Sequence, residues 1–124
     1  IMANVPSPGL LRSIRGLGDL DLNLKIRTAG IVVDRSDMGS SIVLKSNSSN
    51  VLVDCAIPME DHSLSNYLPL LSDRIIVLGY LHQATPQETR RHETFEFKYT
   101  IEAVLIKKTP GLNLEEWEES IDIN

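Results

Sequence analysis

The chain has 124 residues, 42% of them apolar, with a formal net charge of −5. That length suits one domain with a thin core. The charge excludes an overall basic field, so any nucleic-acid contact must come from a local patch, from stacking or from a partner. The one cysteine, Cys55, lies in an apolar run and has no internal disulfide partner. No stretch approaches the roughly 18 apolar residues of a membrane span. The start shows no leader pattern of basic residues followed by an apolar run.

Residues 1–21 read as an N-terminal extension rich in proline and glycine. Ser7-Pro8 is placed to open a short helical turn over Gly9 to Ile14. Leu20, Leu22, Leu24 and Ile26 then alternate with polar residues, the period of a half-buried strand. This first strand runs through Gly30 to Val33. A glycine inside a strong strand predicts a bulge or bend, which a small barrel needs to close. Asp34 to Ser40 is a turn. Ser41 to Lys45 is a second strand, Ser46 to Asn50 a hairpin loop, and Val51 to Ala56 a third strand. Three strands with short connections form an antiparallel meander.

The spacing predicts a short helix over Ser63 to Leu68, limited by Pro69. Arg74 to Leu81 is a β-branched fourth strand. His82 to Glu93 reads as a long polar loop. Phe95 to Lys107 alternates strictly, and at about 3.3 Å per residue spans roughly 43 Å, a length that requires strong curvature. Phe95 and Phe97 are expected to face the core. Pro110-Gly111 ends this fifth strand.

The last segment is a helix with start signals. Asn113 is a good N-cap, Glu116 follows at capping-box spacing, and Leu112 and Trp117 have the spacing of a hydrophobic staple. Leu114, Trp117 and Ile121 share one face; Glu118, Glu119 and Asp122 fall on others. The order predicts an all-β OB-fold: a five-stranded Greek-key barrel over 22–109, a short helix between strands 3 and 4, and a C-terminal helix over 110–124. An SH3-like barrel would not leave so long a connection between strands 3 and 4.

The strings Leu24-Lys25-Ile26-Arg27-Thr28-Ala29-Gly30 and Asp73-Arg74-Ile75-Ile76-Val77-Leu78-Gly79-Tyr80-Leu81, the final strand and the terminal helix carry a resemblance. Over residues 22 to 123 the layout resembles the smallest (Ten) subunit of the CST telomere-capping complex. It is also similar to the smallest subunit of replication protein A. The resemblance implies a nuclear, telomeric OB subunit that forms a heterodimer with a middle OB-fold subunit, the C-terminal helices packing together, and that assists binding of single-stranded telomeric DNA. The alternative it leaves open is a general replication-protein subunit.

For the partner, Leu112, Leu114, Trp117 and Ile121 are the candidate residues, since a narrow apolar stripe with one tryptophan suits docking on another helix. The competing reading is a helix folded back on its own barrel. For nucleic acid, OB-folds use strands 2 and 3 between the 1–2 and 4–5 loops. Arg35, Lys45, Arg90 and Arg91 match those places, with Arg27, Lys98 and Tyr99 as additions; the competing reading is solvated loop charge. Scarce aromatics make stand-alone DNA binding weak. Cys55 with His62, His82 or His92 has no catalytic spacing, and these residues match no zinc pattern. Asp34, Asp37, Asp54 and Asp61 read as turn and cap residues. The chain is therefore read as a non-enzyme without cofactor or metal.

Overall fold

β-branched residues on alternate positions favour pleated backbone, and five such segments here pair into one closed sheet. A computed structural model describes residues 8–36, 39–60 and 69–122. The barrel strands are β2 (Lys25–Arg35), β3 (Ser41–Ser46), β4 (Ser49–Asp54), β5 (Arg74–Gln83) and β6 (Tyr99–Lys108), preceded by the two-residue β1 (Leu10–Leu11). Helices α1 (Ala56–Glu60), α2 (Pro86–Arg91) and α3 (Leu114–Asp122) complete the order. The strands follow β2-β3-β4-β6-β5, and β5 returns to β2. All barrel pairs are antiparallel except β4 with β6, where Val53 stands opposite Ile101. This is the closed OB-fold barrel expected from the sequence.

Closure depends on β2. Residues Lys25 to Ile31 pair with β5, and Ile31 to Arg35 pair with β3. At the change of partner, a Cβ on Gly30 would lie 2.7 Å from the Lys45 carbonyl oxygen and 2.8 Å from Leu44 Cγ. Only a glycine lets the two backbones approach so closely. The bulges lie elsewhere. β2 steps out of register between Val32 and Asp34, and β6 places Leu105 and then Ala103 opposite Leu78 and Gly79. Gly79 is the tighter site, because its Cβ would sit 2.3 Å from the Glu102 carbonyl oxygen and 2.8 Å from Ala103 Cα.

Ile26, Ile42, Leu44, Val53, Val77 and Ile101 fill the barrel at 0% exposure. Ile14, from a 3₁₀ turn over Ile14–Gly16, joins the same cluster, so the N-terminal segment contributes to the core. Ser13 Oγ accepts from Gly16 N at 3.1 Å and caps that turn. The helical turn expected over Gly9 to Ile14 is replaced by β1, which pairs in parallel with Ile26 and Arg27.

Other expectations shift for local reasons. The alternation from Leu20 to Leu24 is not strand. Asp21 accepts from Gly18 N at 3.1 Å, a 3₁₀ turn forms over Asp19–Asp21, and Leu20 is left 95% exposed. The helix expected over Ser63 to Leu68 lies outside the described residues; α1 stands directly after β4, with Asp54 Oδ1 accepting from Ala56 N at 3.0 Å. Within the expected polar loop, β5 runs on to Gln83 and α2 forms. Its cap is reciprocal: Glu88 N donates to Thr85 Oγ1 at 3.2 Å, and Thr85 N to Glu88 Oε1 at 2.8 Å. The final strand starts at Tyr99, not Phe95, because Phe95 N turns back to the His92 carbonyl at 2.9 Å.

Two outcomes follow. Gly79→Ala is expected to lower stability by about 2–3 kcal/mol, read from the urea midpoint, while Gly111→Ala, where an added Cβ meets nothing, stays within about 0.5 kcal/mol. Burial, aided by the Asp54 charge, pushes the Cys55 thiol from 9.0 up to about 12. The folded chain therefore keeps a proton that the unfolded chain releases. This contribution is complete below pH 9.0 and is lost as pH rises towards about 12. Disulfide-exchange labelling of Cys55 at neutral pH should be more than about a hundredfold slower in the native chain than in urea.

Candidate functional site

The C-terminal helix is tied to the barrel before it begins. Thr109 N donates to the Arg74 carbonyl at 2.8 Å, and Arg74 Nη1 donates to the Leu112 carbonyl at 2.6 Å. Asn113 Oδ1 accepts from Glu116 N at 3.1 Å and starts α3 as its sequence indicates. The helix then meets the barrel through a carboxylate. Glu118 is 4% exposed; Ser46 Oγ donates to its Oε1 at 2.8 Å and Asn47 Nδ2 to its Oε2. This corrects the sequence reading, which turned Glu118 away from the working face.

A groove of about 510 Å³ remains between the first turns of α3 and the barrel, bordered by Ile31, Val33, Arg74, Leu114 and Glu115. Leu112, Leu114, Trp117 and Ile121 are all half-buried. The helix thus folds back on its own barrel, held by polar bonds, with its apolar stripe only partly used.

The second surface is the outer face of β3 and β4. Ile42, Leu44, Val51 and Val53 point inward, so Ser41, Val43, Lys45, Asn50 and Leu52 point outward. In an OB-fold this outer face is the expected strand-binding surface. Here the segment after α2 crosses it. His92, 2% exposed, shares a 2.9 Å bond with Ser41 Oγ through Nε2, and its Nδ1 lies 2.8 Å from Asp34 Oδ2. The carboxylate of Asp34 accepts from Nδ1, and in the neutral imidazole with that tautomer Nε2 accepts from Ser41 Oγ. Further along, Asn50 Nδ2 donates to the Glu96 carbonyl at 3.1 Å. Val43 and Leu52, opposite each other between these two anchors, are 0% and 1% exposed. The centre of the face is closed by the chain itself.

The candidate cations are divided among three places. Arg35 and Arg91 border one recess with Asp34, Ser36 and Ser40, and Arg90 is exposed beside Arg91 on α2. Lys45 and Lys98 border another groove, next to the β3–β4 turn. Arg27 stands apart, near Ile76, Leu78, Leu105 and Lys107 on the outside of β2, β5 and β6. Tyr99 is 8% exposed and its hydroxyl donates to Asp19 Oδ1 at 2.6 Å, a bond that raises the phenol above its ordinary value. Lys98 Nζ lies 5.6 Å from the Tyr99 ring centre and 3.8 Å from Asp19.

Phe95 and Phe97 were expected in the core. Both are half-buried and line the Lys45–Lys98 groove, because they precede the strand and do not inherit its inward face. Phe97 also meets His92 edge to face, with ring centres 6.5 Å apart. Among the described residues no cluster of three or more potential metal ligands exists, and no helix is long and apolar enough to cross a membrane.

No protein-family model matches the chain, and no curated protein matches it in sequence. Solved structures share its fold. A chain of the S. pombe Stn1–Ten1 complex superposes with a TM-score of 0.62 at 18% identity, covering 91% of this chain and 88% of that one. The S. pombe telomere capping protein Ten1 gives 0.60 at 18% identity, over 91% and 93%. A putative aspartyl-tRNA synthetase from Leishmania major gives 0.54 at 10% identity, over 89% of this chain and 23% of that protein. At such identities the likeness is one of architecture: the chain carries a Ten1-like OB-fold along nearly its whole length.

Proposed function

We propose that this protein is a small, non-enzymatic OB-fold subunit of a telomere-capping complex in the nucleus. In this reading it forms a heterodimer with a middle OB-fold subunit and assists that complex on single-stranded telomeric DNA. The observation that carries the reading is α3. Its stripe of Leu114, Trp117 and Ile121 is only partly buried, and its side-chain bonds to the barrel run from one carboxylate to Ser46 and Asn47. A helix that had completed its packing would bury that stripe against its own strands. One that awaits a partner keeps it available. The solved Stn1–Ten1 complex, whose chain has the same architecture, supports an OB-fold partner.

In this reading residues 22–109 are the barrel and 110–124 the docking unit, with Leu112 beside the stripe. The exposed Arg90 and Arg91 and the recess beside Arg35 are a secondary, electrostatic contact to the strand. No catalytic role is proposed: Cys55 is 0% exposed and its thiol holds its proton to about 12.

The test is co-purification with the middle OB-fold subunit of the same organism. Trp117→Ala combined with Ile121→Glu is expected to weaken capture by at least about thirtyfold, or about 2 kcal/mol, while the thermal midpoint of the barrel is retained. Capture at wild-type strength by that variant would overturn the reading.

A further inference from the structure

With the centre of the outer β3–β4 face closed, one open part remains beside it. A groove of about 730 Å³ runs between the β3–β4 turn and the segment that leads into β6. Phe95 and Phe97 are half-buried in its wall. Ser48 and Asn50 supply polar groups opposite, and Lys45 and Lys98 stand at its rims. Lys45 is exposed and has no ion-pair partner among the described residues; Lys98 shares the exposed Asp19 at 3.8 Å. The acidic side chain in the groove is Glu96, which is exposed and bonds Asn50 through its backbone rather than its carboxylate.

We propose that this groove is a base-stacking site for single-stranded nucleic acid. The inference rests on the nucleic-acid half of the reading above and moves its contact from the arginine recess to the phenylalanines. Each part of a nucleotide has a counterpart: aromatic faces for the base, hydroxyl and amide groups for its edge, and ammonium groups for the flanking phosphates. A peptide added as a strand fits poorly, because both edges of β3 and of β4 are already paired within the barrel. Stacking also accommodates the net charge of −5, since it draws little on a basic field. Two phosphate contacts give a shallow salt dependence, a slope of about −1.4 in log K against log salt.

The experiment titrates the full chain with a fluorescent oligodeoxythymidine of about ten nucleotides at low salt, with amide spectra recorded in parallel. Saturable binding is expected, with shifts concentrated at Ser48 to Asn50 and Thr94 to Lys98. Phe95→Ala should weaken binding by about tenfold or more, and Phe95→Trp should retain it. Lys45→Glu, an exposed change that spares the fold, should weaken binding and flatten the salt slope by about 0.7. Absence of saturable binding, binding unmoved by Phe95→Ala and Lys45→Glu, or shifts confined to Arg35, Arg90 and Arg91 would overturn the proposal. Capture of the middle OB-fold subunit by the folded Phe95→Ala chain separates the two readings. Capture at wild-type strength is expected, and its loss would make the groove a partner contact and overturn the stacking site.

Discussion

One strand serves two sheet neighbours, and the molecule is organised around that constraint. β2 pairs with β5 along its first part and with β3 along its last, changing partner near Gly30. The crossing closes the barrel and sets which residues of β3 face in or out. Ile42 and Leu44 must then fill the interior while Ser41, Val43 and Lys45 form the outer face. The gap left on β2 beside the end of β3 is filled by β1, and Ile14 seals the core behind it, its Cδ1 placed 3.1 Å from where a Gly30 Cβ would be.

Two covers compete for the surfaces that this barrel presents. The segment from His92 to Glu96 covers the centre of the β3–β4 face, fixed by Ser41 and Asp34 at one end and by Asn50 at the other. Helix α3 covers the neighbourhood of the β3–β4 turn through Glu118. The first cover is sealed, with Val43 and Leu52 excluded from water beneath it. The second is incomplete, with a groove left under the helix. That difference separates a permanent element of the fold from a surface with remaining capacity.

The barrel was legible in the sequence because β3, β4 and β5 are short apolar, β-branched runs bounded by turn signals, and β6 alternates as a sheet with one wet face does. Alternation misled where a local turn captured the backbone. Asp21 bonds Gly18 N, so the leucines before β2 belong to a turn, and Phe95 turns back on His92 before β6 begins. Thr85-Pro86-Gln87-Glu88 carries the capping-box spacing of α2, a local signal outweighed by the polarity around it. The anchors of the candidate surfaces were not legible. His92 meets partners 51 and 58 positions away, and Glu118 meets one 72 away. No periodicity encodes such pairs. Asn113 and the stripe on α3 were readable because capping and helical spacing are local.

The joint between α3 and the barrel is made from a carboxylate, a hydroxyl and an amide. Its opening uncovers the partly buried sides of Leu114, Trp117 and Ile121 but none of the barrel core, so it carries far less heat capacity and denaturant sensitivity than global unfolding. Water replaces the lost bonds, and the helix can part from the barrel as a local event, far below the free energy of global unfolding. Calorimetry and urea titration record the barrel and pass over this motion; amide hydrogen exchange along residues 114–122 is the observable in which it resides.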